Sequence, residues 1–73
     1  MQPAAKVTEV PTLTARQRDV VRLMADGYQT VDIARFLKLS PFTVKNYIER
    51  IYERLEVYSR AGAVGVALRH GLL

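Results

Sequence analysis

The sequence predicts an all-α fold, a four-helix bundle, and three observations carry that prediction. Apolar residues recur at three- and four-residue spacing through most of the chain, the pattern of helices with one buried side. Residues that start and stop helices punctuate those stretches: Thr14 ahead of Gln17, Asp26-Gly27, Ser40-Pro41, Ser59 and Gly71. At 73 residues the chain has the length of one small domain built on a single core.

Residues 1–12 carry Pro3, Pro11 and no sustained periodicity, so they are read as a flexible tail or linker ahead of a domain at 13–73. The first helix is expected from Ala15 to Asp26. Thr14 caps it, Gln17 reaches back in a capping box, Leu13 packs beneath its start, and Asp26-Gly27 stops it. Val20, Val21, Leu23 and Met24 form its buried face. Thr30 is the expected cap of a short second helix with Ile33, Ala34 and Leu37 on one side, followed by a turn at Lys38, Leu39 and Ser40.

Ser40 caps the third helix and Pro41 takes its first position, where a missing N–H costs nothing. Val44, Ile48, Ile51 and Leu55 fall on a narrow apolar stripe. At about 100° per residue the opposite side holds Phe42, Asn46, Glu49, Arg50 and Glu53. Lys45 lies on one flank, and Thr43, Tyr47 and Arg54 lie on the other. The fourth helix is expected from Arg60 to His70, between Ser59 and Gly71, and it has two apolar faces. One is Ala61, Val64 and Leu68; the other is Ala63, Val66 and Ala67. A small core covers only one of them, and Ala63, Val66 and Ala67, with His70 at the helix end, are assigned to contact with a second copy.

Composition excludes several functions. With no cysteine and His70 as the one histidine, the chain offers neither a nucleophile–base pair nor a metal-ligand set, so no enzyme activity, metal or cofactor is expected. No apolar run approaches the roughly 20 residues needed to cross a bilayer, and a soluble, cytoplasmic protein with no membrane partner is the expectation. The net charge of +4, from 11 Lys and Arg against 7 Asp and Glu, favours a polyanionic partner. Six of the cations (Arg35, Lys38, Lys45, Arg50, Arg54, Arg60) stand between residues 35 and 60, against three acids (Glu49, Glu53, Glu56).

A short helix, a three-residue turn and a longer helix with a polar outer face have the geometry that inserts a helix into the DNA major groove. Helical bundles with other roles share that alternation. Charge position favours DNA: long cations such as Arg50 and Arg54 reach phosphates beside a groove, and the Ser40-Pro41 helix start offers unpaired N–H groups to another.

Several spaced motifs occur in order: Leu13-Thr14-Ala-Arg16-Gln17, Ile33-Ala34-x-x-Leu37, Leu39-Ser40-x-x-Thr43-Val44-Lys45-Asn46 and Leu55-x-Val57-x-Ser59-Arg60. On these, the chain from Leu13 to Leu73 resembles the LuxR-type, or GerE-like, helix-turn-helix DNA-binding domain of bacterial transcription regulators. The resemblance implies that the third helix is a recognition helix and that the fourth forms a homodimer contact. It places Lys45 and Asn46 at bases, and Thr43 and the backbone near Thr30 and Val31 at phosphates. It also implies the role of a response-regulator output domain, with double-stranded DNA, a second copy and RNA polymerase as partners.

The chain departs from that pattern with Gln17 in place of the usual Glu, Tyr47 where His is common and Glu49 where a basic or neutral reader often sits. Tyr47 has two readings, a phosphate contact or a half-buried flank. Glu49 is read as a base contact through the amino group of cytosine. Two other functions fit the pattern: a promoter reader like region four of a sigma factor, and a protein-interaction adaptor, which Glu49, Glu53 and Glu56 favour.

Overall fold

The computed structural model describes residues 11–73, which form four helices: α1 (Ala15–Ala25), α2 (Thr30–Leu37), α3 (Pro41–Leu55) and α4 (Arg60–Arg69). The fold class is all-α, as expected. Their inner faces meet in one core, where Val20, Val21, Ile33, Val44 and Ile51 are fully buried. Leu13, Met24, Ala34 and Leu55 close it from the sides, and no buried side chain is polar or charged among the described residues. Solvent exclusion by this apolar cluster is what holds four short helices together, since helices of eight to fifteen residues are marginal alone.

Both ends of the helices are satisfied locally. At α1 the Thr14 hydroxyl accepts from the Gln17 N–H (3.1 Å) while the Gln17 side chain accepts from the Thr14 N–H (2.9 Å), the expected capping box. Ser40 and Ser59 accept from Thr43 and Gly62 in the same way. The second helix differs from expectation: Thr30 is its first residue and Gln29 precedes it as the cap. There the Asp32 carboxylate reaches back to accept from the Gln29 N–H (3.3 Å), the returning half of a capping box, and Thr30 makes no cap bond.

All four helices stop by one device. The residue after the last turn is left-handed, its N–H returns to a carbonyl three residues back, and the next N–H returns five back. Gly27 (φ 92°) fills that position after α1, but Lys38 (φ 59°) and Glu56 (φ 57°) fill it after α2 and α3. The residues that follow those two, Leu39 and Val57, pack on the core and hold the strained turn in place. Because Asp26 and His70 serve as caps, α1 and α4 end one residue earlier than the sequence suggests.

Two expectations are corrected. Ala63 and Ala67, assigned to a homodimer contact, have no exposed surface and form the core face of α4. Val66 packs on the same core, half-buried, and His70 is exposed at the helix end. Of the other stripe, Ala61 and Leu68 face outward, Leu68 63% exposed, while Val64 is half-buried against the core and Gly65 is partly exposed. The reason is steric, because small Ala63 and Ala67 bring the α4 backbone close to its neighbours, as bulkier Val64 and Leu68 would not. The second correction concerns Arg60, whose guanidinium donates to the Tyr28 carbonyl (2.7 Å), with Met24 O at 3.5 Å. It sits at the C-terminal end of α1, where the helix dipole favours a cation.

The expected tail at residues 1–12 lies outside the described residues as far as residue 10. Thr12 is tied down: the Arg54 side chain donates from Nε to the Thr12 carbonyl (2.9 Å) and from Nη2 to its hydroxyl (2.8 Å).

Arg60→Ala removes the charged donor from the α1–α2 turn and is expected to cost about 1–2 kcal/mol. For a domain of this size that lowers the thermal midpoint by roughly 4–8 °C per kcal/mol. A circular dichroism melt that superimposes on wild type would show the bond to be dispensable.

Candidate nucleic-acid interface

The helix-turn-helix is formed by α2, the three residues Lys38 to Ser40, and α3. Val44, Ile51 and Leu55 are buried on the inner side of α3 and Ile48 packs on the core, so Lys45, Asn46, Glu49 and Arg50 are turned to solvent. The structure brings these four together on the first three turns of one helix. None of them has a hydrogen-bond or ion-pair partner in the side-chain contacts of the described residues; the ion pairs found there are Arg16–Asp19 and Arg35–Asp32. Glu49 in particular is not neutralised by Lys45 or Arg50.

Backbone donors flank this face. At the start of α2 the N–H groups of Asp32 and Ile33 bond to the Gln29 carbonyl (both 3.0 Å), which leaves those of Thr30 and Val31 without a backbone acceptor among the described residues. At the start of α3, Pro41 has no N–H, that of Thr43 goes to the Ser40 hydroxyl (3.0 Å) and that of Val44 to the Ser40 carbonyl (3.1 Å). Only the Phe42 N–H is left there, so the unpaired donors expected at Ser40-Pro41 reduce to one. The Ser40 hydroxyl, itself exposed, donates to the Thr43 hydroxyl (3.0 Å), which frees the Thr43 proton for an outside acceptor. Helix starts of this kind attract anions through aligned N–H groups and the helix dipole.

The remaining candidates separate. Tyr47 is half-buried and packs on the core, the flank position of its two readings. Arg54 spends two of its guanidinium donors on Thr12, which fixes the side chain beside that residue and leaves the Nη1 donors exposed. Arg50 stands with Glu53 and Glu56 on the wall of an open groove between the second half of α3 and residues Thr12 to Thr14. Among the described residues there is no group of three or more His, Cys, Asp or Glu placed to hold a metal, and no helix long and apolar enough to cross a membrane.

Sequence reasoning placed Phe42 on the outer side of α3 but gave it no role, although it is 71% exposed. The Tyr28 ring meets the exposed Phe36 edge-on at 5.0 Å, a pair between the α1–α2 turn and α2 that no periodicity signals.

Comparison with known proteins agrees with this architecture. Residues 11–67 match the family described as bacterial regulatory proteins, luxR family. The chain is 44% identical over 72 residues to the probable transcriptional regulatory protein NarL of Mycobacterium tuberculosis, covering 99% of this chain and 32% of that protein. It is 44% identical over 57 residues to the transcriptional regulatory protein DesR of Bacillus subtilis, covering 78% of this chain and 29% of that one. The chain thus spans about a third of the length of these relatives. The solved structure of the transcription factor GerE superimposes with a TM-score of 0.80 at 39% identity, covering 84% of this chain and 91% of that one. Four helices in this order, a helix-turn-helix with its polar side outward and a family match from residue 11 to residue 67 lead to one statement: the chain belongs to the luxR family of bacterial regulatory proteins.

Proposed function

We propose that this domain binds double-stranded DNA sequence-specifically as the output part of a bacterial transcription regulator, with α3 in the major groove. The observation that carries the reading is the outer face of α3: Lys45 and Asn46 stand exposed and unpartnered between the free N–H groups of Thr30, Val31 and Phe42. Such N–H groups suit phosphates, and the hydroxyls of Thr43 and Ser40 and the Arg50 guanidinium add to them. Lys45 suits the acceptors of guanine, and Asn46 the paired donor and acceptor of adenine. RNA polymerase is the partner on which a promoter-bound regulator acts.

Binding to duplex DNA is then salt-dependent, with a log–log slope of about 0.9 per neutralised phosphate. Fluorescence anisotropy from low to moderate salt measures it, and an affinity that does not change with salt rejects this reading in favour of a protein-interaction role. Lys45→Ala and Asn46→Ala are expected to cost about 1–3 kcal/mol each on the selected sequence.

Glu49 faces the same groove without a neutralising partner. Its carboxylate repels phosphates and accepts from the amino group of cytosine, so it lowers affinity for most sequences more than for one. Glu49→Gln should raise non-specific affinity and relax the preference at one base pair by about 1–3 kcal/mol. Competition titrations against single-base operator variants test this, and an unchanged preference profile assigns Glu49 to solvent.

The domain acts as a homodimer through the side of α4 that carries Gly65 and Leu68. Gly65 supports that surface: a glycine inside a helix costs about 0.5–1 kcal/mol relative to alanine. Nothing among the described residues requires it, since an added Cβ would meet only the end of the Arg69 side chain at 3.8 Å. A helix of a second copy crossing closely at Ala61 and Gly65, with Val64 and Leu68 beside it, does require a residue that small. Gly65→Ala should therefore raise the melting midpoint of the isolated domain and weaken cooperative binding to a two-site duplex. Leu68→Glu should abolish cooperativity with the fold intact; gel-shift titrations as cooperative as wild type would place the interface elsewhere.

A further inference from the structure

Among the large apolar side chains of the described residues only Tyr58, in the α3–α4 connection, is more exposed than Phe42. Phe42 stands two residues into the first turn of α3, nine positions before Ile51. At about 100° per residue it points opposite that buried side chain, in line with Asn46 and Glu49. Most of its ring is left uncovered by the described residues. Local helix chemistry does not explain it either: an acid at this position would suit the positive end of the helix dipole, and the first turn of α3 contains none.

We infer that Phe42 is a specificity-determining residue that packs its ring on the C5-methyl group of a thymine in the major groove. This rests on the reading of α3 as the helix that enters that groove. The thymine methyl is the one apolar group the major-groove edges present, and phenylalanine is among the side chains that contact it. The surroundings select DNA over a protein as the occupant. A single ring beside Lys45, Asn46, Ser40 and an unpaired N–H is too small and too polar for a specific protein interface, which needs about 800 Å² on each side. The Phe42 N–H points along the helix axis while its ring projects sideways, so one residue reaches a phosphate with its backbone and a base with its side chain. Phe42 and Asn46 are one turn apart, about 6 Å along the axis. That is about two base-pair steps, so the thymine lies within about two base pairs of the adenine read by Asn46.

The test uses duplexes selected from a random pool by the wild-type chain, in which each thymine is replaced in turn by deoxyuridine. That exchange removes only the methyl group. Burial of one such group is worth about 0.8 kcal/mol, so one replacement should weaken wild-type binding about fourfold in fluorescence anisotropy. Phe42→Ala should bind more weakly than wild type to the thymine duplex and lose its sensitivity to that replacement. Phe42→Leu, with a smaller apolar side chain, should keep part of it. Melting curves matching wild type establish that both variants are folded, as expected for a side chain outside the core. If no deoxyuridine position weakens wild type, or if Phe42→Ala remains as sensitive as wild type, Phe42 does not read a methyl group. If wild type selects no duplex at all, the inference falls together with the DNA-binding reading beneath it.

Discussion

Val44 and Ile51 have no exposed surface, and the outer side of α3 is fixed by that burial. Each such side chain contributes roughly 1.5–3 kcal/mol by leaving water. Rotating the helix to present another face would forfeit that several times over. Surface polar contacts, typically well below 1 kcal/mol each, have no comparable say in the orientation. The core therefore aims Phe42, Lys45, Asn46 and Glu49 outward without any help from those residues, and they are free to be chosen for what they touch.

The ends of the helices perform a second task. Every start is capped locally and every stop uses a left-handed residue, so few backbone groups are left over. Those that are left stand at the helix starts, and Thr30 and Val31 of α2 and Phe42 of α3 place theirs on either side of the turn that joins these two helices. Arg60 holds the turn that leads into α2, and Arg54 holds Thr12 against α3. Both cations keep their long-range attraction for a polyanion, but each spends part of its donor set on the protein. Their structural use gives the interface a fixed frame.

Much of this was legible in the sequence because it is local. Thr14 with Gln17, Ser40 with Pro41, and Ser59 mark helix starts, and the stripe of Val44, Ile48, Ile51 and Leu55 marks the inner side of α3. What was misread depends on contacts distant in sequence or on a choice that periodicity cannot make. Arg54 finds Thr12 across 42 positions and Arg60 finds Tyr28 across 32, and nothing in either segment advertises the partner. On α4 both stripes are apolar, and only the close approach permitted by Ala63 and Ala67 decides which one turns inward. Glu56 hides the stop of α3, and Lys38 the left-handed form of the expected turn after α2, for a related reason. They adopt the conformation in which glycine is expected, because apolar residues after them anchor the chain on the core.

The distribution of charge bears on why one domain does not suffice. Between residues 35 and 60 the cations outnumber the acids six to three, yet Arg54 and Arg60 each have some of their donors engaged within the chain. Arg35 has Asp32 at 3.7 Å as well, so Lys38, Lys45 and Arg50 are the cations of this stretch with donors wholly free for phosphates. Three such groups and a few N–H donors neutralise few phosphates, and affinity built on phosphate contacts grows with their number. On the proposed reading a single domain would hold DNA weakly at moderate salt, and the exposed Glu49 carboxylate would weaken it further. Two domains on adjacent half-sites would double the contacts while sharing the association step, so even a weak contact along α4 would be amplified by the DNA. The side of α4 that carries Gly65 and Leu68 would then matter to DNA recognition as much as the outer face of α3: one would set which bases are read, and the other whether the reading lasts.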